Sequence, residues 1–359
     1  MKSVSNRIRN LFKNTDAEVV FIMNTGKEDS NFLYLTGFTG GVFEFNTLMA
    51  TRKGLILPVS SLEYEIAKEQ RPKEMKVIMV ESRKEIDVIM KKHMKSKVVG
   101  VNASFLPYNY YKALRKRAKP KRIIDVSKAF YIARSVKGND ELENIKTANR
   151  IAKSALLDVK KELKEGMTER EVAGRLEYLM MKRGADGASF SSIVSFNENA
   201  ALPHHMPENK RLAPNSIVLI DMGARYRNYC SDITRTFMFK PDKSSQRYKR
   251  FTEMYSIVQS AQTLSYKMIR EGVVAGKVHK AAADYIDRAE GGKYKGKFIH
   301  SLGHAIGIDV HDAGPGLYGN ERLKAGMVVS DEPGIYVVGF GGVRIEDDVV
   351  VKKGGALML

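Results

Sequence analysis

Two aspartates in one predicted hairpin constrain this chain more than any other feature. Ile217–Ile220 is an apolar run that ends in Asp221 and is typical of a buried strand, and Tyr229–Met238 resumes with β-branched and aromatic residues. If the chain folds back near residues 226–227, Asp221 and Asp232 lie roughly opposite each other on one face. Like charges in that arrangement are destabilising unless something neutralises them, and a divalent cation would do so. This stretch alone leaves open the alternative of two surface aspartates at the mouth of a hairpin.

A second acidic hairpin is predicted near the C-terminus. Met327–Glu332 and Val343–Val351 are strand candidates on either side of a glycine-rich turn at 339–342. Folding about that turn places Glu332 and Glu346 roughly opposite each other. Each acidic hairpin follows a pair of predicted helices, at 140–163 and 168–184 for the first and at 246–270 and 276–290 for the second. The repeated order of two helices and a hairpin indicates an internal duplication.

Length and composition favour a two-domain protein without membrane spans. The chain has 359 residues, which is long for one domain, and 43% of them are hydrophobic. It has no run of 18 apolar residues, and its N-terminus lacks the apolar region of a secretory signal. A single cysteine, Cys230, excludes an intramolecular disulfide and fits a reducing compartment. We therefore expect a cytoplasmic protein.

The positive charge is concentrated in the first part of the chain. The formal net charge is +19, and residues 1–135 hold 26 Lys+Arg against 13 Asp+Glu. A strongly basic half is compatible with nucleic-acid binding, but these cations are scattered and not interleaved with aromatic residues. We interpret them as a solvated surface and do not expect a nucleic-acid partner.

Residues 1–135 have the pattern of a small α/β domain. The predicted strands are Glu18–Met23, Leu48–Leu57 and Lys76–Val80, and the predicted helices are Ser61–Arg71 and Tyr108–Lys119. The aromatic-rich segment Asn31–Gly41 is predicted to be a strand that runs into a tight turn. A boundary is expected within 133–139.

The histidines suggest what the carboxylates are for. His300, His304 and His311 lie in a glycine-rich stretch between the second pair of helices and the second hairpin. Imidazole and carboxylate ligands together suit a binuclear site for Mn, Co, Fe or Zn. A water that bridges two dications becomes hydroxide readily, and the metals can also polarise a carbonyl. The predicted reaction is therefore hydrolysis of an amide.

At this point the motifs resemble a known family. VLIDMGA with SDITRTF, HSLGHAIGIDVHD, SDEPGIY and GGVRIEDD closely resemble the motifs of the "pita-bread" metallopeptidases. These include Xaa-Pro dipeptidase (prolidase), aminopeptidase P, methionine aminopeptidase and creatinase, and the match covers about residues 140–352. NFLYLTGF, at 31–38, resembles the creatinase/prolidase-type N-terminal domain.

The resemblance implies a fold class and two domains. The class is α/β (α+β), with a small α/β N-terminal domain at 1–135. A pseudo-symmetric pita-bread metallopeptidase catalytic domain with a curved antiparallel sheet backed by helices follows at 136–359. Family members of this kind are commonly homodimers, so a homodimer is expected.

The resemblance also implies the metal ligands, namely Asp221, Asp232, His304, Glu332 and Glu346. Asp232 and Glu346 would bridge two divalent ions per subunit, with Mn or Co favoured and Zn or Fe also compatible. Glu332 would in addition accept a proton from the bridging water and pass it to the leaving amine.

Further residues are assigned roles by the resemblance or by their positions near the ligands. His204 and His311 would donate hydrogen bonds to the substrate carbonyl or the tetrahedral intermediate, with His205 as the competitor of His204. His300 is expected to pack against the site residues and support them without binding metal or substrate. Arg344 and Thr234 are expected to hold ligand carboxylates in place. Cys230 is interpreted as a small core residue.

The implied activity is a binuclear metal-dependent Xaa-Pro dipeptidase that uses a metal-bridging hydroxide and acts on proline-containing dipeptides or short peptides. The alternative is aminopeptidase P, which acts on longer peptides. Some archaeal-type prolidases place an arginine four residues after the equivalent of His311, where this chain has Pro315. Arg322 is a possible replacement. A third hypothesis is a non-catalytic binding protein, which the complete ligand set disfavours.

Overall fold

The chain divides into two compact units. The computed structural model describes residues 4–26 and 28–359. One unit ends at Arg134, and the other comprises Ser135–Leu359. Residues 1–3 and 27 of the predicted domain 1–135 lie outside the described residues, and the predicted limits of the two domains stay a prediction.

The first unit contains a six-stranded sheet with helices. Its helices are Val4–Phe12 (α1), Ser30–Thr36 (α2), Ser61–Gln70 (α3), Arg83–Met94 (α4), Tyr108–Ala118 (α5) and Ser127–Ser135 (α6), the last running one residue past the division. Its strands are Val19–Met23 (β1), Thr47–Thr51 (β2), Gly54–Val59 (β3), Met75–Met79 (β4), Val98–Val101 (β5) and Arg122–Asp125 (β6). The strand order is β4-β3-β2-β1-β5-β6, and only β2 runs antiparallel to its neighbours.

Two predictions for this unit were wrong. The segment predicted as a strand at 31–41 is largely helix α2, because Asp29 accepts a hydrogen bond from Asn31 N at the start and Gly37 adopts φ 70° at the end. The aromatic residues that suggested a strand are buried on this short helix. The predicted strand 48–57 is a hairpin of β2 and β3 with a two-residue turn. The other predicted elements of this unit are confirmed within one or two residues.

The second unit holds four long helices and several short antiparallel strand pairs. Its α-helices are Asn139–Glu162 (α7), Glu169–Lys182 (α8), Gln246–Met268 (α9) and Ala275–Arg288 (α10). Its strands are Gly187–Ala188 (β7), Ile193–Phe196 (β8), Ser216–Met222 (β9), Ala224–Tyr226 (β10), Tyr229–Cys230 (β11), Ile233–Phe239 (β12), Val328–Asp331 (β13), Gly334–Val337 (β14), Gly341–Arg344 (β15), Asp347–Val351 (β16) and Ala356–Met358 (β17). The four predicted helices and both predicted hairpins are confirmed.

Local sequence explains where the helices begin and which face they bury. Thr168 and Glu171 form a capping box at the start of α8, with each side chain bonded to the other residue's backbone N–H at 3.2 and 2.7 Å. In α7 the apolar residues recur at helical spacing, and the buried ones include Ile145, Ala152 and Val159. The apolar faces of the helices pack against the strands of this unit and form two hydrophobic cores.

The order of two helices and a hairpin occurs twice, as predicted. Helices α7 and α8 share one hydrophobic core with strands β8, β9 and β12. Helices α9 and α10 share another with the second hairpin. In the described part of this unit, every paired strand is antiparallel to its partner. The mixed α/β class and the antiparallel sheet are therefore confirmed, and the acidic residues lie where the two hairpins meet.

Nothing in the helices of either unit suggests a membrane span. Among the residues with described positions, no helix combines the length and the apolar character that crossing a bilayer requires.

Adjacent leucines on α7 test the packing of this helix. Leu156 is 5% exposed and belongs to the core shared with the first hairpin, whereas Leu157 is 60% exposed. We expect Leu156→Ala to lower the free energy of unfolding by about 2–5 kcal/mol and Leu157→Ala to change it by less than about 0.5 kcal/mol. Chemical denaturation of both variants measures the difference, and equal losses would contradict the assigned helix face.

Candidate metal centre

The first hairpin places both of its aspartates on one face. Its turn is at Arg227-Asn228, which both have positive φ, and Asp221 pairs with Thr234 across the ladder. Asp232 therefore lies two residues from the position directly opposite Asp221. Because side chains alternate with a period of two, the offset keeps both carboxylates on the same side of the hairpin.

The second hairpin places its glutamates opposite each other, as predicted. Asp331 pairs with Asp347, and Gly334 pairs with Arg344. The same register continued between these two ladders aligns Glu332 with Glu346. These two residues lie in the short interruption between the strands, where no ladder constrains their backbone.

His304 completes the group from the loop that precedes β13. Its Nε2 lies 3.4 Å from Asp232 Oδ2 and 3.6 Å from Glu332 Oε1. One potential ligand atom from each of Asp232, His304 and Glu346 lies within 4.8 Å of the others. A single cation could therefore contact all three with small side-chain movements.

One cavity of about 350 Å³ is lined by all five predicted metal ligands and by both histidines predicted to donate to the substrate. Its polar lining includes Asp221, Asp232, Glu332, Glu346, Arg344, His204, His300, His304 and His311. Its apolar wall includes Phe190, Ile193, Pro203 and Val310, which sequence patterns did not single out. The roles assigned to the site residues remain a proposal, but the fold brings these side chains together.

Arg344 and Thr234 hold the carboxylates in place, as predicted. The guanidinium of Arg344 donates to Asp221 Oδ2 at 2.6 Å, to Thr234 Oγ1 at 3.0 Å and to the hydroxyl of Tyr336 at 2.9 Å. Thr234 in turn donates to Glu346 Oε2 at 2.6 Å. One oxygen of Asp221 and one oxygen of Glu346 are therefore fixed by the protein.

The remaining carboxylate oxygens indicate that the site fits a cation. Asp221 Oδ1, Asp232 Oδ1 and Glu346 Oε1 are buried, and no donor within the described residues reaches any of them. Buried polar atoms are normally satisfied, and a carboxylate oxygen can only accept. Three such oxygens in one cavity, with an imidazole beside them, are a donor set for a divalent metal ion.

The pKa values of the carboxylates and of His304 also agree with a cation site. Burial, followed by the neighbouring carboxylates, raises the pKa of Asp232 and of Glu346 well above the ordinary range. Burial also raises the pKa of Glu332 to about 8. For His304, burial lowers the pKa to about 4, so its imidazole is neutral at pH 7. Without a cation the carboxylates would have to retain protons, which a metal can replace.

The structure distinguishes the neighbouring histidines. His204 lines the cavity, whereas the buried His205 pairs with Glu169 Oε2 at 2.9 Å and does not line it. The ring of His311 lies on that of His304, with 4.0 Å between centroids. His300 Nε2 is 2.7 Å from the Tyr336 hydroxyl, which Arg344 also contacts, so His300 supports the site through that hydroxyl.

Three supporting residues, Tyr336, Asp348 and Asn149, were not predicted. The Tyr336 hydroxyl links Arg344 with His300. Asp348 Oδ2 accepts from the backbone N–H of Asp232 at 3.0 Å and from Asn149 Nδ2 at 2.8 Å. Strand alternation offered a signal for Asp348, because it follows Glu346 by two residues. No sequence signal identified Asn149, which reaches the site from α7.

Two other residues considered from the sequence, Arg322 and Cys230, do not line the cavity. Arg322 donates to the backbone oxygen of Gly272 and does not line the cavity, so it does not replace the arginine that Pro315 displaces. Burial raises the pKa of the Cys230 thiol to about 11. It is therefore protonated and buried, as expected for a core residue.

Comparison with known proteins places the chain in a family. Residues 143–353 match the Metallopeptidase family M24, and residues 5–136 match the Creatinase/Prolidase N-terminal domain. The chain belongs to Metallopeptidase family M24. Metallopeptidases of this family work with divalent metal ions, in agreement with the donor set of the cavity.

Several M24 relatives resemble the chain along nearly its whole length. An Xaa-Pro dipeptidase of Pyrococcus horikoshii is 35% identical over 336 residues, which are 92% of this chain and 90% of that protein. The solved Xaa-Pro dipeptidase from Bacillus anthracis has a TM-score of 0.88 at 29% identity, covering 99% of this chain and 97% of that one. The X-Pro aminopeptidase from Thermotoga maritima has a TM-score of 0.87 at 30% identity, covering 97% and 96%. Both kinds of peptidase therefore share this fold.

Stability should depend on pH in a way that reveals the buried carboxylates. The folded pKa of Glu332 is about 8, against an ordinary value of 4.5. Because folding raises this pKa, protonated Glu332 contributes to the free energy of unfolding. The contribution is fully present below pH 4.5 and is lost as the pH rises through about 8. We expect the melting temperature of chelator-treated protein to fall between those pH values, and that of protein with Mn²⁺ to fall less.

Glu332→Gln is the matched control for this experiment. The amide has similar shape but does not titrate, so the metal-free variant should lose less stability over the same pH range. Identical pH profiles for the variant and the natural protein would contradict the assignment.

Proposed function

We propose that this protein is a metal-dependent Xaa-Pro dipeptidase that hydrolyses the peptide bond before proline. The observation that carries the proposal is the cavity that contains the five proposed ligands and the three buried carboxylate oxygens without donors. The names of its M24 relatives supply the substrate class, since those from Pyrococcus horikoshii and Bacillus anthracis are Xaa-Pro dipeptidases.

The proposed ligands would hold two divalent ions per subunit. They are Asp221, Asp232, His304, Glu332 and Glu346, with Asp232 and Glu346 shared between the ions. We expect Mn or Co, and the same donors are compatible with Zn or Fe. When bound, such ions lower the pKa of a water and polarise the scissile carbonyl.

Glu332 is the proposed proton carrier. Its carboxyl lies in the cavity, and burial raises its pKa to about 8, so in the metal-free site it holds a proton near neutral pH. In hydrolysis it would accept the proton of the attacking water as the new C–O bond forms. It would then donate that proton to the proline nitrogen as the C–N bond breaks.

His204 and His311 are the proposed donors to the substrate. Both line the cavity, as does the apolar wall that includes Phe190 and Ile193. Burial lowers the pKa of His311, so its neutral ring carries one N–H. A donor aimed at the carbonyl oxygen stabilises the negative charge that develops there in the transition state.

Aminopeptidase P is the second candidate. It is supported by the similarity to the Thermotoga maritima X-Pro aminopeptidase and by Pro315, which stands where some prolidases have an arginine. Comparing kcat/KM for Ala-Pro with kcat/KM for Ala-Pro-Ala decides between them. Preference for the dipeptide supports our proposal, and preference for the tripeptide favours aminopeptidase P.

The remaining expectations from the sequence stay predictions. They concern a cytoplasmic location, a homodimer, and short proline-containing peptides as the partners in place of nucleic acid. Size-exclusion chromatography with light scattering would test the homodimer.

Alanine at either shared ligand should abolish catalysis. We expect Asp232→Ala and Glu346→Ala to lower kcat by about a thousandfold or more, because each removes a ligand from both ions. Both variants should also lose metal, measured by elemental analysis after dialysis. Asp284→Ala is the control, since it removes only the exposed pair with Lys280 on α10. Full turnover by metal-depleted Asp232→Ala protein would contradict the mechanism.

A further inference from the structure

A buried ion pair lies directly beside one of the site histidines. Lys137 Nζ is 3.3 Å from Asp312 Oδ2, and the two side chains are 1% and 2% exposed. Asp312 immediately follows His311 in the chain, whereas Lys137 lies just before α7. Removing two charges from water is costly, and replacing such a pair by apolar residues is often neutral or stabilising. Stability alone therefore does not explain this pair.

The pair connects to a loop with little regular structure. In the described part of the chain, no helix or strand lies between residues 303 and 327, and the segment has one isolated bridge to β13, from Ala305 to Val329. The beginning of the loop is fixed to both hairpins, because Ile306 N donates to Val328 O at 3.0 Å and Cys230 N donates to Gly307 O at 2.8 Å. His311 lies a few residues after these contacts.

Asp312 closes the loop around the histidines. Its backbone N–H donates to Ala305 O at 2.8 Å, which brings residue 312 back beside His304. This bond lies within the loop and by itself does not attach His311 and Asp312 to the remainder of the unit, whereas the later part of the loop is attached by backbone bonds such as Leu323 N to Val273 O at 2.9 Å. The carboxylate of Asp312 makes such an attachment, through Lys137.

Gly307 is shaped to admit the pair. A Cβ at this position would overlap the carboxylate of Asp312 and would lie 3.1 Å from Lys137 Cε. The backbone of the loop thus approaches both charged groups as closely as a glycine permits. Any larger residue would displace Asp312, and with it the neighbouring His311.

Lys137 is itself firmly held. Its backbone N–H donates to Gly326 O at 2.9 Å, next to the start of β13. The following residue, Gly138, donates to Glu141 Oε2 at 2.7 Å in the first turn of α7. The ammonium group therefore extends from a fixed backbone into the loop.

We propose that Lys137 is a positioning residue for catalysis. Through Asp312 it holds the ring of His311 on that of His304, at the cavity wall where the substrate carbonyl would bind. In this proposal Lys137 does not touch the substrate. Its effect on catalysis requires that His311 donates to the substrate, and to that extent the inference rests on the proposed function.

A double variant can show whether the Lys137–Asp312 pair positions His311 or only stabilises the fold. Lys137→Met leaves the Asp312 carboxylate buried without its ammonium partner and should destabilise the protein. Lys137→Met/Asp312→Leu removes both charges and should restore most of the melting temperature. We expect kcat on Ala-Pro to stay about tenfold to a hundredfold below that of the natural protein in the double variant, with a smaller change in KM.

A control ion pair joins α7 to α8 away from the loop. Arg175 and Glu162 form a bidentate, partly exposed ion pair between α8 and α7. Arg175→Met/Glu162→Leu removes two charges without touching the loop, so we expect kcat to stay within about twofold of the natural value. If Lys137→Met is too unstable to purify, Lys137→Gln, which keeps an amide donor, provides the same comparison.

Hydrogen exchange gives a readout that does not depend on activity. In the double variant, backbone amides of residues 308–313 should exchange faster, while those of α7 and β9 keep their protection. Recovery of natural kcat and of natural exchange in a stable double variant would overturn the proposal. If the natural protein hydrolyses no proline peptide, the proposed function fails, and the exchange result still decides whether Lys137 orders the loop.

Discussion

Repulsion among four carboxylates in one cavity is the interaction on which this structure depends. Asp221, Asp232, Glu332 and Glu346 line one cavity, and burial together with their mutual proximity raises the pKa of Asp232, Glu332 and Glu346 above the ordinary range. A fold selected only for stability would separate these groups, because each costs free energy when charged and buried. Divalent cations bound here would convert this cost into binding free energy, since they would replace protons and satisfy the oxygens that lack donors.

The duplicated architecture supplies the rigidity that such a site requires. Each acidic hairpin is packed against its own pair of helices, and the two hairpins meet at the carboxylates. Direct bonds join them there, from Thr234 to Glu346 and from the backbone of Asp232 to Asp348. Because Asn149 of α7 also holds Asp348, the first helix of the unit takes part in placing a proposed shared ligand. The same helix begins just after Lys137, so both the carboxylates and the histidine loop are fixed relative to α7.

Patterns in the sequence predicted the site better than they predicted the N-terminal unit. Glu332 and Glu346 were aligned by a turn and strand alternation, which are local properties, and the predicted contacts of Arg344 and Thr234 follow from the same alternation. The segment at 31–41 was assigned to the wrong class, because its aromatic residues suggested a strand while the helix was decided by Asp29 and Gly37 at its ends. Asn149 and Lys137 could not be predicted, since their importance lies in contacts with residues more than 170 positions away.

The most direct test of this account is calorimetric titration of Mn²⁺ into chelator-treated protein at pH 7, in two buffers of different ionisation enthalpy. Binding of two ions per chain, with a net release of protons that appears as a buffer-dependent heat, is the predicted result. It would show that cations replace protons held by the buried carboxylates. Absence of binding, or binding without proton release, would contradict the central claim that carboxylate repulsion is relieved by metal.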